Sequence, residues 1–254
     1  CQEERAGGPR RGEGQYLPRI ACCLATWPGS VLEETARELL ARITRDDVSS
    51  EAFKFRDLRQ TFVGGVPVII NRISFSGELG YEIYCKPQYL MRLADSIEEA
   101  GADLRFRWYG ARALLSMRLE KGWGVWTMEY RPDFNAVESG MDVFINWEKD
   151  FVGKAATLKA RDRSVSQKLL TMVIDTDGID VAHDEAILKD GTPVGYVSSG
   201  GYAHHVGKSM AMGYVTAEFA SPGTTLQVEI LGRFYDAEVL SGPIYDANGF
   251  NMRS

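Results

Sequence analysis

The centre of the chain contains Ile73-Ser-Phe-Ser-Gly-Glu-Leu-Gly-Tyr-Glu-Ile-Tyr84, a strand pattern interrupted by two glycines. Because side chains alternate along a strand, Glu78 and Glu82 are predicted to share one face and Tyr81 to lie on the other. Glycines inside a strand mark a bulge or the close approach of a ligand. A carboxylate at such a gap can accept two hydrogen bonds from an amino-pyrimidine edge. The residues alone also allow, and slightly favour, a solvated strand face with an incidental bulge.

The central stretch ends with Tyr109-Gly-Ala-Arg-Ala-Leu-Leu-Ser-Met-Arg-Leu-Glu-Lys-Gly122, which predicts a short helix. Arg118 lies among leucines at spacings of three and four residues, in an apolar stripe. Such an arginine reaches solvent or pairs with an anion, since burying it unpaired is costly. Arg112 lies on a neighbouring, more polar face, and a guanidinium fork suits a carboxylate or phosphate. The alternative is an internal salt bridge from this helix to one of three acids: Glu78, Glu82 or Glu120.

The composition is that of an ordinary globular protein, with 254 residues, 44% hydrophobic content and a net charge of −6. An acidic chain argues against nucleic acid as a partner. No apolar run approaches the roughly 18–20 residues that a membrane span needs. The four cysteines form no framework, which predicts reduced thiols and a cytoplasmic or mitochondrial-matrix location. The three histidines are too few and too poorly spaced to predict a metal site.

Local patterns predict helices and strands on both sides of the central stretch. A capping signature predicts a helix from Ser30 to about Ile43. Gly64-Gly65 predicts a hairpin turn between strands at residues 60–63 and 66–75, with Pro67 on an edge strand or at the first residue of its strand. Three further elements are predicted: a helix over residues 87–100, a strand over 137–147 and a turn leading into a short helix over 151–158. A charged, polar linker is predicted over residues 160–167.

The last third of the chain has a different sequence pattern, with short β-rich segments separated by glycine-containing turns. The segments are residues 169–174, 186–188, 193–197, 209–215, 225–230 and 234–239. Short strands at about ten-residue spacing predict a small antiparallel barrel or sandwich. The predicted fold class is therefore α+β, an antiparallel sheet with helices followed by a small antiparallel β-barrel. The predicted boundaries are a disordered or unrelated start at 1–29, a sheet domain at 30–160 and a barrel domain at 161–254.

No other motif in the sequence indicates a particular reaction. The sequence has no glycine motif typical of dinucleotide or nucleoside triphosphate binding. His204 and His205 lie in a glycine-rich loop. We predict a structural role for this loop, because adjacent histidines cannot readily face one target and no nucleophile is arranged beside them.

Several motifs in order resemble the aminomethyltransferase family. They are Asp47-Val-Ser-Ser-Glu-Ala-Phe53, Val63-Gly-Gly-Val-Pro-Val68, Ser74-Phe-Ser-Gly-Glu-Leu-Gly-Tyr-Glu-Ile83 and the helix stretch Tyr109–Gly122. The family comprises the T-protein of the glycine cleavage system and the folate-binding C-terminal part of dimethylglycine and sarcosine dehydrogenases. The dehydrogenase branch looks closer, judging by Gly77–Glu82, Phe151–Lys154 and Gly200–Ser209. The resemblance covers the chain from about residue 36 onward.

This resemblance implies tetrahydrofolate binding and one-carbon transfer from a methylamine donor. The donor would be dimethylglycine, sarcosine or a lipoyl-bound aminomethyl group. By motif position, Glu82 would hydrogen-bond the pterin and Arg112 would line the folate pocket. Glu78, Tyr81 and Arg118 would be supporting members of the site. The dehydrogenase members also imply an upstream flavin domain or a partner subunit.

One part of the family pattern has no counterpart in the sequence. The family's catalytic aspartate precedes the helix that ends at Ile43, and nothing in the chain resembles its segment. We therefore expect a truncated member with no catalytic residue in this chain, and whether it is an enzyme by itself stays open. Two alternatives remain, a non-catalytic folate-binding fragment and a tetrahydrofolate-dependent demethylase.

Overall fold

The computed structural model describes residues 20–25, 35–163 and 165–254, which form an antiparallel sheet with helices and then a closed barrel. The sheet unit contains β1 (Ile20–Ala25), α1 (Thr35–Ile43), β2 (Leu58–Val63), β3 (Val66–Asn71), β4 (Gly80–Cys85) and α2 (Leu90–Gly101). Two helices follow, α3 (Ala111–Glu120) and α4 (Lys154–Asp162). The barrel strands are β5 (Gln167–Ile174), β6 (Ala186–Lys189), β7 (Thr192–Ala203), β8 (Lys208–Thr216), β9 (Thr225–Ile230) and β10 (Arg233–Val239). The predicted α+β class is confirmed.

The sheet has one buried and one open face. Its strand order is β1-β4-β3-β2, and all neighbouring strands are antiparallel. Along β4, Tyr81, Ile83 and Cys85 belong to the hydrophobic core, whereas Glu82 and Tyr84 are only partly buried. The helices α1 and α2 supply the other half of that core, with buried residues three or four positions apart. These residues are Ala36, Leu39, Leu40, Leu93 and Ile97. Glu82 therefore lies on the sheet face opposite the two helices.

The predicted hairpin between β2 and β3 is confirmed. Gly64 and Gly65 have φ values of +58° and +78°, in the left-handed region that glycine enters without strain. Pro67 is the second residue of β3, and β3 lies between β4 and β2, so the prediction of an edge strand or a first position is wrong. However, β3 begins to pair with β4 only at Ile69. The missing N–H of Pro67 therefore costs the sheet no hydrogen bond with β4.

Gly64 gives a first stability prediction, because the two glycines of the turn differ in the space around them. A Cβ at Gly64 would lie 2.4 Å from Cβ of Ser96, whereas a Cβ at Gly65 would meet nothing within 4 Å. Gly65→Ala carries only the left-handed backbone cost of about 1–2 kcal/mol. Gly64→Ala adds an overpacking cost of about 1–3 kcal/mol. Urea denaturation should give a lower midpoint for Gly64→Ala than for Gly65→Ala, and equal midpoints would contradict the close approach of Gly64 to Ser96.

The central strand pattern is only partly a strand. β3 ends at Asn71 and β4 starts at Gly80, so the residues between them form bends instead of a continuous strand. Serine side chains explain this, since Ser74 Oγ accepts a hydrogen bond from Gly77 N and Ser76 Oγ accepts one from Glu78 N. Such local bonds compete with sheet pairing. The prediction that Glu78 and Glu82 share a strand face is therefore wrong.

The strand predicted over residues 137–147 is also wrong. This region consists of turns with a short 3₁₀ helix at Asp142–Phe144. Asn135 Oδ1 accepts hydrogen bonds from the backbone N–H groups of Val137 and Glu138, and Glu138 Oε2 accepts one from Asn135 N. These side chain–backbone bonds fix turns where the apolar pattern favoured a strand.

Other boundaries also differ from the predictions. The predicted helix start at Ser30 and most of residues 1–29 lie outside the described residues, but Ile20–Ala25 form β1, which was not predicted. The linker predicted over 160–167 is shorter, because α4 continues to Asp162. The short helix predicted after residue 151 corresponds to α4, and the helix predicted from 87 starts as the 3₁₀ turn Pro87–Tyr89 before α2.

The C-terminal strands close into a barrel in the order β10-β5-β8-β7-β6-β9, so the barrel alternative is confirmed over the sandwich. The predicted strand at 225–230 coincides with β9, while β7 is longer than predicted. Gly195 lies where β7 and β8 approach closely, and a Cβ there would lie 2.1 Å from the main-chain oxygen of Tyr214. After β10 the chain leaves the barrel, and Asp246 forms a buried ion pair at 3.1 Å with Lys121 at the end of α3.

Candidate functional site

Glu82 lies on the open face of the sheet, in register with Asn71 of β3. Its Oε2 accepts a hydrogen bond from the Tyr84 hydroxyl, two residues along the same strand. On the same face, the β2 side chains Leu58 and Phe62 are each 63% exposed, whereas Asn71 of β3 is partly buried. Within the described part of the chain, Oε1 of Glu82 has no hydrogen-bond partner. This carboxylate is therefore held in place by a neighbour and can still accept hydrogen bonds from a ligand.

Tyr81, the neighbour of Glu82 on β4, points to the opposite face. It is 1% exposed, and its ring stacks on Phe53 with a centroid distance of 5.9 Å. Burial raises the pKa of the Tyr81 hydroxyl, and the positive charges of Arg37 and Arg72 oppose that rise. The structure thus separates Tyr81 from Glu82 by the thickness of the sheet.

Glu78 lies in the bend before β4 and is 3% exposed. It accepts a hydrogen bond from the Tyr245 hydroxyl, which also accepts one from Asn251 Nδ2 at 3.1 Å. Burial raises the pKa of Tyr245, and the hydrogen bond to Glu78 acts in the same direction. Glu78 therefore joins the sheet unit to the segment that follows the barrel.

Arg112 lies in the first turn of α3 and is exposed. Among the described residues, none forms a hydrogen bond or an ion pair with its guanidinium. Because an exposed guanidinium with no internal partner keeps all of its donors, Arg112 is available for an anionic ligand.

Arg118 has the opposite environment, although it lies on the same helix. Its side chain is 2% exposed and pairs with Glu129, at 3.5 Å between Nη1 and Oε2. Nη1 also donates to the main-chain oxygen of Trp123 at 2.9 Å and contacts the sulfur of Met212 at 3.3 Å. The predicted alternative of an internal salt bridge is thus confirmed in kind, but its partner is none of the three candidate acids.

Glu129 was not predicted from the sequence, although it is the most highly connected acid in the described chain. It is fully buried, its Oε1 accepts hydrogen bonds from the Ser198 and Ser199 hydroxyls, and its Oε2 accepts one from Val125 N at 2.8 Å. The main-chain oxygen of Glu129 accepts a hydrogen bond from the Tyr214 hydroxyl at 2.8 Å. Its neighbours in sequence gave no indication of this, since these barrel residues lie about 70 or more positions later.

The loop with the two histidines docks α3 on the barrel. Ser116 Oγ donates to the main-chain oxygen of Tyr202 at 2.7 Å, and Glu120 Oε1 accepts a hydrogen bond from His205 N at 2.8 Å. The His204 ring packs edge-on against Tyr202, with 5.0 Å between centroids. These contacts join the loop to α3, and the structural role of the two histidines stays a prediction.

The five predicted site residues are thus distributed over separate environments. Glu82 is partly buried and Arg112 is exposed, and no hydrogen bond among the described residues joins them. Glu78 joins the sheet unit to the segment after the barrel, Arg118 lies between α3 and the barrel, and Tyr81 lies in the core. No group of three or more potential metal ligands occurs in the described ranges. Over the same ranges, no helix has the length and apolar character to cross a membrane.

Comparisons with known proteins follow the two units of this fold. An antiparallel sheet unit with helices followed by an antiparallel barrel is also the fold of the solved glycine cleavage system aminomethyltransferase T from Bartonella henselae, which aligns with a TM-score of 0.73 at 24% identity. That alignment covers 84% of this chain and 57% of the Bartonella protein. The GCVT N-terminal domain model matches residues 34–149, and the glycine cleavage T-protein C-terminal barrel domain model matches residues 167–246. The chain belongs to the aminomethyltransferase (glycine cleavage T-protein) family.

Curated relatives come from both branches of this family. Mitochondrial dimethylglycine dehydrogenase of Homo sapiens is 33% identical over 211 residues, which is 82% of this chain and 24% of that protein. A formaldehyde-forming 4-methylaminobutanoate oxidase of Paenarthrobacter nicotinovorans is 31% identical over 94% of this chain and 30% of its own length. The aminomethyltransferase of Halothermothrix orenii is 29% identical over 82% of this chain and 58% of its own length. The chain therefore spans between about a quarter and three fifths of these relatives.

Proposed function

We propose that this chain binds tetrahydrofolate and takes part in one-carbon transfer from a methylamine donor. One observation carries the proposal: the two residues that the family motifs assign to folate also remain available to a ligand. Glu82 and Arg112 are the two predicted folate residues, and within the described chain each keeps hydrogen-bonding capacity that no internal partner uses. Membership of the aminomethyltransferase family supports a folate ligand at this position.

The chemistry of the donor set fits a reduced folate. The amino-pyrimidine edge of a pterin presents neighbouring N–H donors, and a carboxylate oriented by a hydroxyl, as Glu82 is by Tyr84, can accept them. The exposed guanidinium of Arg112 suits the carboxylates of the folate tail or an oxygen of the pterin. Bound tetrahydrofolate supplies the nitrogen that accepts the one-carbon unit. The chain's own residues bind and orient that ligand.

The other three predicted residues have supporting roles in this proposal. Arg118 and Glu129 hold α3 against the barrel, and that contact positions the helix on which Arg112 lies. Glu78 fixes the bend that leads into β4 and thereby the start of the strand with Glu82. Tyr81 anchors β4 to the core from the opposite face.

The donor and the partners follow from the relatives. Dimethylglycine, sarcosine and a lipoyl-bound aminomethyl group are the candidate donors, and a flavin domain or a partner subunit would generate the one-carbon unit. The names of the dehydrogenase relatives include a mitochondrial location. We propose the mitochondrial matrix or the cytoplasm for this chain.

Isothermal titration of the chain with tetrahydrofolate tests the binding step. We expect Glu82→Gln and Arg112→Gln to weaken binding by about 10- to 100-fold each, because hydrogen bonds to charged groups contribute roughly 1.5–3 kcal/mol. Glu99→Gln and Arg92→Gln on α2 are matched controls, since both residues are exposed. A folded wild-type chain that gives no binding heat, or site variants with wild-type affinity, would overturn the proposal.

A turnover assay separates transfer from binding alone. The chain is mixed with formaldehyde as a one-carbon source and tetrahydrofolate, and the rate is compared with the uncatalysed condensation. A higher rate that is lost in Glu82→Gln supports one-carbon transfer. Retained binding with no rate above background would instead identify a non-catalytic folate-binding module.

A further inference from the structure

Asn71, the last residue of β3, is the cross-strand neighbour of Glu82. The register of the sheet places the two residues directly opposite each other on β3 and β4. Side chains at directly opposite positions of antiparallel strands lie on the same face, with Cβ atoms about 4.5–5.5 Å apart. The burial along β3 agrees with this placement, because Val68 and Ile70 lie in the core whereas Asn71 is only partly buried. The amide of Asn71 and the carboxylate of Glu82 therefore lie side by side on the open face.

The polar atoms of the Asn71 side chain are not used within the described part of the protein. None of the described residues forms a hydrogen bond with this amide, and neither its oxygen nor its nitrogen is sealed from solvent. An asparagine amide has an acceptor oxygen and two N–H donors, whereas an ionised carboxylate has acceptors alone. Asn71 therefore adds to Glu82 the hydrogen-bond donor that a carboxylate lacks.

Apolar side chains flank this polar pair on the same face. Leu58 lies opposite Asn71 on β2 and is exposed, and Ile69 lies two residues before Asn71 on β3 and is partly buried. A flat ring with one polar edge is complementary to such a surface. Its edge satisfies the amide and the carboxylate, while the rest of the ring removes apolar area from water.

We propose that Asn71 determines which pyrimidine edge this site accepts, an inference that rests on the proposed binding of folate. The edge of a tetrahydropterin carries a carbonyl oxygen at position 4, next to N–H donors on N3 and on the 2-amino group. Glu82 accepts hydrogen bonds from the two N–H donors, and Asn71 donates from Nδ2 to the carbonyl oxygen. Asn71 is thus a specificity-determining residue, and the guanidinium of Arg112 is left for the carboxylates of the folate tail.

Isothermal titration with two ligands tests this role. One is tetrahydrofolate, and the other is its 4-amino analogue, which has a donor at position 4 and no proton on N3. Asn71→Asp replaces the donor by an acceptor with little change in shape. We expect this variant to bind tetrahydrofolate about 10- to 100-fold more weakly, because two acceptors then face each other. The ratio of the two affinities should shift by about tenfold or more toward the 4-amino analogue, since the new carboxylate accepts its donor.

Two further variants separate this effect from charge and from structure. Gln60→Glu adds the same charge on the same face, one strand farther from Glu82, and should keep the wild-type ratio. Asn71→Leu removes the polar atoms without adding a charge, and we expect it to weaken tetrahydrofolate binding by about 2- to 10-fold. Thermal melting shows which variants are folded. A purely structural role of Asn71 would weaken both ligands equally and leave the ratio unchanged.

The outcomes distinguish the role of Asn71 from folate binding itself. An unchanged ratio in a folded Asn71→Asp variant would refute the role of Asn71 and leave folate binding intact. If that variant does not fold, Asn71→Leu decides the question, and wild-type affinity for tetrahydrofolate in this variant would refute the role equally. A folded wild-type chain that binds neither ligand would overturn folate binding, and the role of Asn71 with it.

Discussion

Replacement of Glu129 by alanine is expected to destabilise the protein by about 3–5 kcal/mol, because it leaves the buried charge of Arg118 without a partner. Arg118 and Glu129 are 2% and 0% exposed, so water cannot replace the lost carboxylate. The substitution also removes the acceptor for the hydroxyls of Ser198 and Ser199 and for Val125 N. Urea denaturation followed by circular dichroism measures the effect as a fall in the unfolding midpoint.

A double-mutant cycle shows whether the pair itself is responsible. Arg118→Met combined with Glu129→Ala removes both charges, and we expect it to cost less than the sum of the two single substitutions. Glu38→Gln is the control, since Glu38 pairs with Arg42 at 2.6 Å on the surface of α1, where both side chains are at least one-third exposed. It should leave the midpoint unchanged within error. Equal losses for Glu129→Ala and Glu38→Gln would mean that burial adds nothing to the Arg118–Glu129 pair.

The same ion pair shows where prediction from the sequence ends. The helix spacing placed Arg118 in an apolar stripe, and that local pattern correctly indicated a buried guanidinium that needs an anion. The identity of the anion depends on the loop after α3 and on the barrel, whose contacts with Arg118 and Glu129 lie up to 94 residues away in sequence. Periodicity carries no information on such pairings. Glu129 was therefore missed, although its role is comparable to that of Arg118.

The strands show a similar division between local and long-range information. Alternating side chains and glycine turns were sufficient to predict the β2–β3 hairpin and all six barrel strands. The bends between Asn71 and Gly80 were missed, because Ser74 and Ser76 hydrogen-bond backbone groups that a strand would otherwise use. The prediction for Glu78 failed for this reason, whereas its neighbour Glu82 does lie on a strand.

Stability is expected to fall between pH 10 and pH 12, and part of that loss comes from Tyr214. Burial raises the pKa of Tyr214 to about 12, whereas the ordinary pKa of tyrosine is about 10. Its ring is 0% exposed and stacks on Phe134 with 3.5 Å between centroids. Its hydroxyl donates to the main-chain oxygen of Glu129 at 2.8 Å and lies 2.9 Å from Ser139 Oγ. The folded chain therefore retains this proton at a pH at which the unfolded chain loses it.

The sign and size of the effect follow from proton linkage. Below pH 10 both states bind the proton, and the contribution of Tyr214 is fully present. Between pH 10 and about 12 the unfolded state binds fewer protons than the folded state, so the free energy of unfolding decreases as pH rises. The loss is about 1.4 kcal/mol at pH 11 and approaches about 2.7 kcal/mol well above pH 12. Burial also raises the pKa of Tyr81, Tyr130 and Tyr245, which adds to the total slope.

Tyr214→Phe isolates the contribution of this one hydroxyl from that of the other buried tyrosines. At pH 9 the variant should be less stable than the wild type, because it lacks the hydrogen bonds to Glu129 and Ser139. Between pH 9 and pH 11 the difference in free energy of unfolding should shrink by about 1.4 kcal/mol, since only the wild type loses the linked proton from this residue on unfolding. Urea titrations at four pH values measure the difference, and Tyr202→Phe is the control for loss of an exposed phenol. A difference that stays constant from pH 9 to pH 11 would show that Tyr214 titrates alike in both states, and the buried hydroxyl would then have no part in alkaline unfolding.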